Sequence, residues 1–298
     1  FRGVRGGYPV PGESTVRYGG NTTCFEVRVG DHLIIIDAGT GIIGLGKDMI
    51  EAHKKDQEDM NCILLFTHLH HDHVQGLPFF APFSHPKGSI RFYGFKPVGG
   101  TTLQTEILRL IQPPFSPLGL EKIYAKYQFE HLFQGDTIIL TSNEEPPQVF
   151  RVQEEIPVIS EENVEIQVHH GRHHPKDGVL VYRISYFGKS LVIATDTEGF
   201  VGGDQQLIQF ASGANLLIHD AEYDEHEYGK DNIIRQGWGH STWRMAVDVA
   251  VKAGVDRLVL FHHNSSHTDV YLDVMAKKAC NVFANSVMAR EGMEISLL

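Results

Sequence analysis

The run Asn61-Cys62-Ile63-Leu64-Leu65-Phe66-Thr67 leads directly into His68-Leu69-His70-His71-Asp72-His73. Four consecutive apolar residues, Ile63 to Phe66, read as a buried strand. Potential metal ligands begin where that strand ends. His68 and His70 stand two apart, so an extended backbone points both imidazoles to one side. Asp72 and His73 fall on the turn that follows and can face a second ion. Imidazole nitrogen and carboxylate oxygen are ligands that a borderline cation such as zinc accepts. A His-rich surface loop or affinity tag is the bland alternative, but tags sit at termini and lack an embedded Asp after a buried strand. The stretch reads as a metal site.

The pattern His-x-His-x-Asp-His resembles the signature of the metallo-β-lactamase superfamily. That resemblance implies a third His for the first metal, a bridging Asp, and a last His for the second. Ser190 to Thr195 is strand-like and ends at Asp196, which matches the bridging carboxylate. Arg257 to Phe261 is another such run and delivers His262 as the last ligand. For the third His, the segment His169-His170-Gly171-Arg172-His173-His174-Pro175 offers four candidates. The family's His-Pro, short turn and Tyr-Arg strand match His174-Pro175 and Tyr182-Arg183, which selects His174 over His173. The implied arrangement is dinuclear, with two Zn²⁺ or another divalent transition metal such as Mn²⁺. Metal one takes His68, His70, His174 and Asp196; metal two takes Asp72, His73, Asp196 and His262.

A chain of 298 residues can bury a large core, and its 42% apolar content is ordinary for a globular protein. No apolar stretch is long enough to span a bilayer. Three cysteines, Cys24, Cys62 and Cys280, are odd in number and lack metal-type spacing, so reduced thiols and a cytoplasmic location are expected. Ten strand-like runs alternate with helical patterns in two similar halves, an α/β organisation. The clearest helix is Trp243 to Ala253, where Ala246, Val249, Ala250 and Ala253 form a stripe and Ser241 or Thr242 caps the start. The resemblance sharpens this to an αββα sandwich, two mixed β-sheets flanked by helices. The expected organisation is a single catalytic domain over 1–298, with an insert around 97–132 serving as a lid or dimer contact. That insert carries Pro113, Pro114, Phe115, Pro117, Tyr124, Tyr127 and Phe129; extra core packing is the plainer reading.

One motif is read as a decoy. Gly39-Thr40-Gly41-Ile42-Ile43-Gly44 follows a strand, as a dinucleotide site would. Asp37, however, sits two residues before the first Gly, where a carboxylate would face a pyrophosphate. The family carries a strand-ending Asp here, and the resemblance gives Asp37 the task of supporting the metal ligands from behind.

Two cations about 3.5–4 Å apart clamp both oxygens of a displacement and acidify a bridging water, so the expected reaction is hydrolysis by a metal-bridging hydroxide. No Cys stands near Asp196, unlike many true β-lactamases, and flavodiiron relatives carry Glu where His70 stands. Gly239-His240-Ser241-Thr242 resembles the His-Ser-Thr motif of the phosphodiesterase branch, which includes ribonuclease Z and small cyclic-nucleotide phosphodiesterases. There the His works with an acidic residue on an earlier strand, and Asp220 stands at that place. His240 would donate a proton to the leaving oxygen, Asp220 would orient it, and Asp72 completes the catalytic set; helix capping is the bland role for His240.

Lys plus Arg number 26 against 37 Asp plus Glu, a formal charge of −11. RNA processing needs a basic footprint, so the charge favours a small phosphodiester, such as a cyclic nucleotide, over long nucleic acid. A ribonuclease Z-like endonuclease is the alternative, and a metal-binding regulatory domain without catalysis a further one. A homodimer is also considered; a membrane is not.

Overall fold

The computed structural model of this chain describes all residues except 58, 117–118, 120–121, 143–144, 159, 172–173, 175–177 and 230–232. Among the described residues the strands form two mixed sheets. The first holds β1 (Phe25–Val29), β2 (His32–Ile36), β3 (Met60–Leu65), β4 (Gly88–Gly94) and β5 (Lys126–His131), in that order. β1 and β2 form an antiparallel hairpin; β2 through β5 run parallel. The second sheet contains β6 (Thr137–Leu140), β7 (Gln148–Phe150), β8 (Val164–Gly171), β9 (Val179–Tyr186), β10 (Lys189–Ala194), β11 (Leu216–Asp220), β12 (Arg257–Phe261) and β13 (Ser286–Met288). Its order is β13-β12-β11-β10-β9-β8-β6-β7, with β10 to β13 parallel.

Period-two alternation explains the layering. Ile34 and Ile36 of β2, Ile63 and Leu65 of β3, and Leu191 and Ile193 of β10 face a shared core between the sheets. The intervening Ile35, Cys62 and Leu64 point outward beneath helix α1 (Gly41–Asp56) and helix α3 (Leu103–Leu110). On the other side Val192, Ala194 and Leu217 lie beneath α4 (Gln205–Phe210), α6 (Trp243–Ala253) and α7 (Asp269–Val282). Two short helices, α2 (His71–Val74) and α5 (Glu225–Gly229), stand outside these layers. Both faces of the central strands are covered, which is why they read as unbroken apolar runs. This is the αββα sandwich that the resemblance implied. At 25 cal/mol per Å², burying one such Ile or Leu is worth roughly 1.5–3 kcal/mol.

The halves differ more than the sequence suggested, five strands against eight, and β5, β7 and β13 have no counterpart among the runs read from the sequence. The stretch 97–132 enters the first sheet through β5, while Leu103 and Ile107 of α3 are buried in its outer layer. Phe115 and Tyr124 stay exposed; Pro117 lies outside the described residues. Thr242, not Ser241, caps α6, its hydroxyl accepting from the Met245 amide at 3.2 Å. No helix among the described residues is long and apolar enough to cross a membrane.

The parallel strands of both sheets end at one rim. Asp37 directly follows β2, His68 follows β3 by three residues, Asp196 follows β10 by two, and His262 directly follows β12. Tyr182 of β9 donates to the Phe66 carbonyl at 2.6 Å, and the Leu180 amide to the Thr67 carbonyl at 2.8 Å. These bonds tie the second sheet to the end of β3.

Candidate metal centre

The local chain sets the first ligand group. His70 is extended (φ −62°, ψ 155°) and caps the single helical turn of α2. The extended residues turn His68 and His70 together, ring centroids 4.4 Å apart, and the helical turn sends Asp72 and His73 the other way. His174 arrives from the connection after β8, its Nε2 3.0 Å from His70 Nδ1. Ligand atoms of His68, His70 and His174 all lie within 4.8 Å of one another. Those of Asp72, His73, Asp196 and His262 form a second such group. Asp196 lies between the two, with Oδ1 3.7 Å from His68 Nε2 and 3.2 Å from His262 Nε2, and Oδ2 3.3 Å from His73 Nε2. Asp72 Oδ2 meets His73 Nε2 at 3.3 Å and His262 Nε2 at 3.2 Å.

These residues fit a pair of cations. The Nε2 atoms of His68 and His73 are buried and make no well-aligned hydrogen bond to the carboxylates beside them; such atoms are costly unless something binds them. Burial keeps His68 well below the ordinary imidazole range, hence neutral and able to ligate. For His73 and His262 burial acts the same way, but Asp196 and Asp72 outweigh it and hold both well above that range. Such a collection of buried carboxylates demands positive charge, which a metal supplies without protons.

Support comes from behind. Asp37 accepts from His73 Nδ1 at 2.8 Å, from the Thr67 hydroxyl at 2.7 Å and from the Thr67 amide at 2.8 Å. The Thr67 hydroxyl oxygen in turn meets His68 Nδ1 at 3.1 Å, and His174 Nδ1 meets the Gly239 carbonyl at 3.1 Å. Each contact fixes a tautomer that leaves Nε2 toward the centre. The Gly7 amide donates to Asp72 Oδ2 at 2.8 Å. A Cβ on Gly6 would lie 2.3 Å from the His262 ring, so only glycine lets this loop pass. The glycine motif has the same meaning: a Cβ on Gly39 would meet the Asp72 carbonyl oxygen at 2.4 Å.

Beside the second group, Asp220 Oδ2 lies 2.7 Å from His240 Nδ1, while Asp220 Oδ1 accepts the Ser241 amide at 3.0 Å. The His240 ring stacks on His262, centroids 4.9 Å apart and planes 13° apart. Burial alone would lower the His240 pKa, but Asp220 and Glu222 push it up to about 9. Its side chain keeps 14% exposure, so a proton held there is reachable.

His68, His70, Asp72, His73, His174, Asp196, Asp220, His240 and His262 are thus brought to one place, with Asp37 behind. His173 lies outside the described residues. His169 packs against Phe210 and His170 donates its amide to Gln134, both away from the clusters. Sequence reading missed Glu222, Thr67, Gly7 and Glu198. Glu222 follows Asp220 by two, a spacing that could have flagged it. Glu198 accepts from the Gly237 and Gly239 amides at 2.9 and 2.6 Å and from the Tyr228 hydroxyl, and so holds the loop before His240.

A sandwich with a strand-end cluster of histidines and carboxylates defines a metallohydrolase-type centre. The profile of the beta-lactamase superfamily domain matches residues 32–263, and the chain belongs to that family. A ribonuclease Z from Picrophilus torridus is 36% identical over 110 residues, 37% of this chain and 32% of that protein. The matched stretch therefore spans about a third of the length of the first curated relatives. Human tRNase Z, short form, shares the fold at TM-score 0.60 and 21% identity, covering 100% of this chain and 98% of that one. Zn²⁺-bound PqqB from Methylobacterium extorquens does so at TM-score 0.66 and 15% identity, covering 99% and 98%. The expected superfamily agrees with that family, and the two solved structures share the expected fold.

Proposed function

We propose that this protein is a dinuclear metal-dependent phosphodiesterase of ribonuclease Z type, cleaving an RNA phosphodiester. The observation that carries the reading is the His240–Asp220 pair, 2.7 Å apart and stacked on His262 at the edge of the ligand cluster. His68, His70 and His174 would hold one ion, Asp72, His73 and His262 the other, with Asp196 between them; Zn²⁺ is the simplest choice for this donor set. Such ions supply Lewis-acid charge and lower the pKa of water. The chain's own task is the leaving group. Asp220 keeps His240 charged and aimed, and the imidazolium gives its proton to the departing oxygen. Asp37, Thr67 and the Gly7 amide hold the ligands still while this happens.

The ribonuclease Z relatives move the substrate from the small phosphodiester expected on charge toward RNA. The charge of −11 keeps a small phosphodiester as the second reading, since a net acidic chain disfavours the binding of many phosphates. A panel of structured tRNA precursor, cyclic nucleotides, bis-p-nitrophenyl phosphate, lactones and β-lactams, each with Zn²⁺ or Mn²⁺, tests it. RNA cleavage well above cyclic-nucleotide turnover is expected. Lactone or β-lactam hydrolysis with inert phosphodiesters would overturn the reading.

A further inference from the structure

Beyond the Asp220–His240 pair, a second carboxylate faces the same imidazole. Glu222 Oε2 lies 3.2 Å from His240 Nδ1 and 3.4 Å from His262 Nδ1. It is nearer to His262 Nδ1 than Asp220 Oδ2, at 3.9 Å. Its other oxygen is pinned, accepting from Asn264 Nδ2 at 2.9 Å. Only 13% of its side chain is exposed, so a costly group has been placed here with care. Three of the other candidate ligands show a pattern. His73 Nδ1 faces Asp37, His68 Nδ1 faces Thr67, and His174 Nδ1 faces the Gly239 carbonyl. His262 Nδ1 is buried and has no hydrogen-bond partner of its own. A ligating His orients Nε2 toward the ion by donating through Nδ1 to a carboxylate or carbonyl, and Glu222 is the nearer of the two carboxylates beside His262 Nδ1.

We infer that Glu222 is a positioning residue shared by the second metal and the proton donor, fixing the His262 and His240 rings in register through one carboxylate. It faces the Nδ1 atoms of two stacked imidazoles, so a displacement of either ring reaches the other through it. Removing it loosens metal two and misaims the donor together. The His240 half of this inference rests on the phosphodiesterase reading; the His262 half rests only on the ligand cluster.

Chelator competition with Zn²⁺ on the purified full chain tests the metal half without any turnover. Glu222→Ala should weaken the more loosely held Zn²⁺ by about 10–100-fold. Glu222→Gln keeps an acceptor oxygen and should recover most of that affinity. In kinetics at saturating Zn²⁺, Glu222→Gln should lower kcat with little change in KM, more for an alkyl than for a p-nitrophenyl leaving group. Asn264→Ala, which frees the carboxylate without removing it, should give a weaker loss of Zn²⁺ affinity and serves if the Glu222 variants fold poorly. Wild-type Zn²⁺ affinity in Glu222→Ala, or equal damage by Ala and Gln, overturns the shared role. If no phosphodiester is turned over at all, the functional reading fails, while the Zn²⁺ measurements still decide this one.

Discussion

Asp37, Asp196 and His262 hold backbone φ of 60°, 54° and 60°, the left-handed region that non-glycine residues avoid. Each follows a strand end, and each costs of order 1–3 kcal/mol that the surrounding packing must sustain. The kink turns the side chain from the sheet into the rim, where Asp196 meets both ligand groups. Asp196→Ala should therefore cost both ions at once; elemental analysis of protein purified without chelator checks this, and retention of either ion refutes the bridging role. His174→Ala should abolish activity and weaken metal one, whereas His169→Ala and His170→Ala should be mild. His240→Ala should keep both metals yet lose kcat by roughly 10²–10⁴-fold, less with p-nitrophenolate, which needs little protonation. Full rates on every phosphodiester with full metals would remove His240 from the mechanism.

At the scale of elements, β11 shows how alternation divides tasks. Leu216 and Ile218 face the intersheet core, Leu217 lies beneath the outer helices, and Asp220 ends at the rim. His219 is buried, and burial lowers its pKa against the pull of Asp220 and its carbonyl. A depressed value means the unfolded chain takes up a proton first as pH falls. Its stabilising contribution is thus complete above the unfolded value near 6.5 and is lost on acidification below it, at up to about 1.4 kcal/mol per pH unit. Urea midpoints at pH 7 and 5 should differ less in His219→Gln than in the parent; an unchanged difference would clear this residue. Helix α6 carries a second prediction. Thr242→Ala removes a cap and should cost about 1 kcal/mol, in the turn that also holds His240 and Ser241.

Across the whole molecule the centre is a seam. The first sheet and its following turn supply His68, His70, Asp72 and His73; the second supplies His174, Asp196 and His262. Metal binding to the folded state alone stabilises it by mass action, about 2.7 kcal/mol at a hundred times Kd. Chelation should therefore lower Tm and Zn²⁺ should restore it, with a concentration dependence that a purely structural packing defect would lack.

Much of this was legible in the chain because its signals are local. Six residues from His68 to His73 place candidate ligands by backbone geometry, and ten apolar runs mark strands, the central ones buried on both faces. The stripe and cap of α6 follow the same logic over a few residues. The edge strands β5, β7 and β13 were not legible, because short or half-polar segments become strands only when a neighbour offers hydrogen bonds. Glu222, Glu198 and Gly7 were hidden for a related reason: each acts on a group supplied by another part of the chain. His174 Nδ1 meets a carbonyl 65 residues away, and the Gly7 amide reaches Asp72 across the same number. Sequence by itself determined which side chains are candidate metal ligands and that strand ends deliver them. Only the tertiary structure decided that Glu222 and Glu198 join Asp37 and Asp220 around them, because such contacts arise when distant segments pack, not when one segment folds.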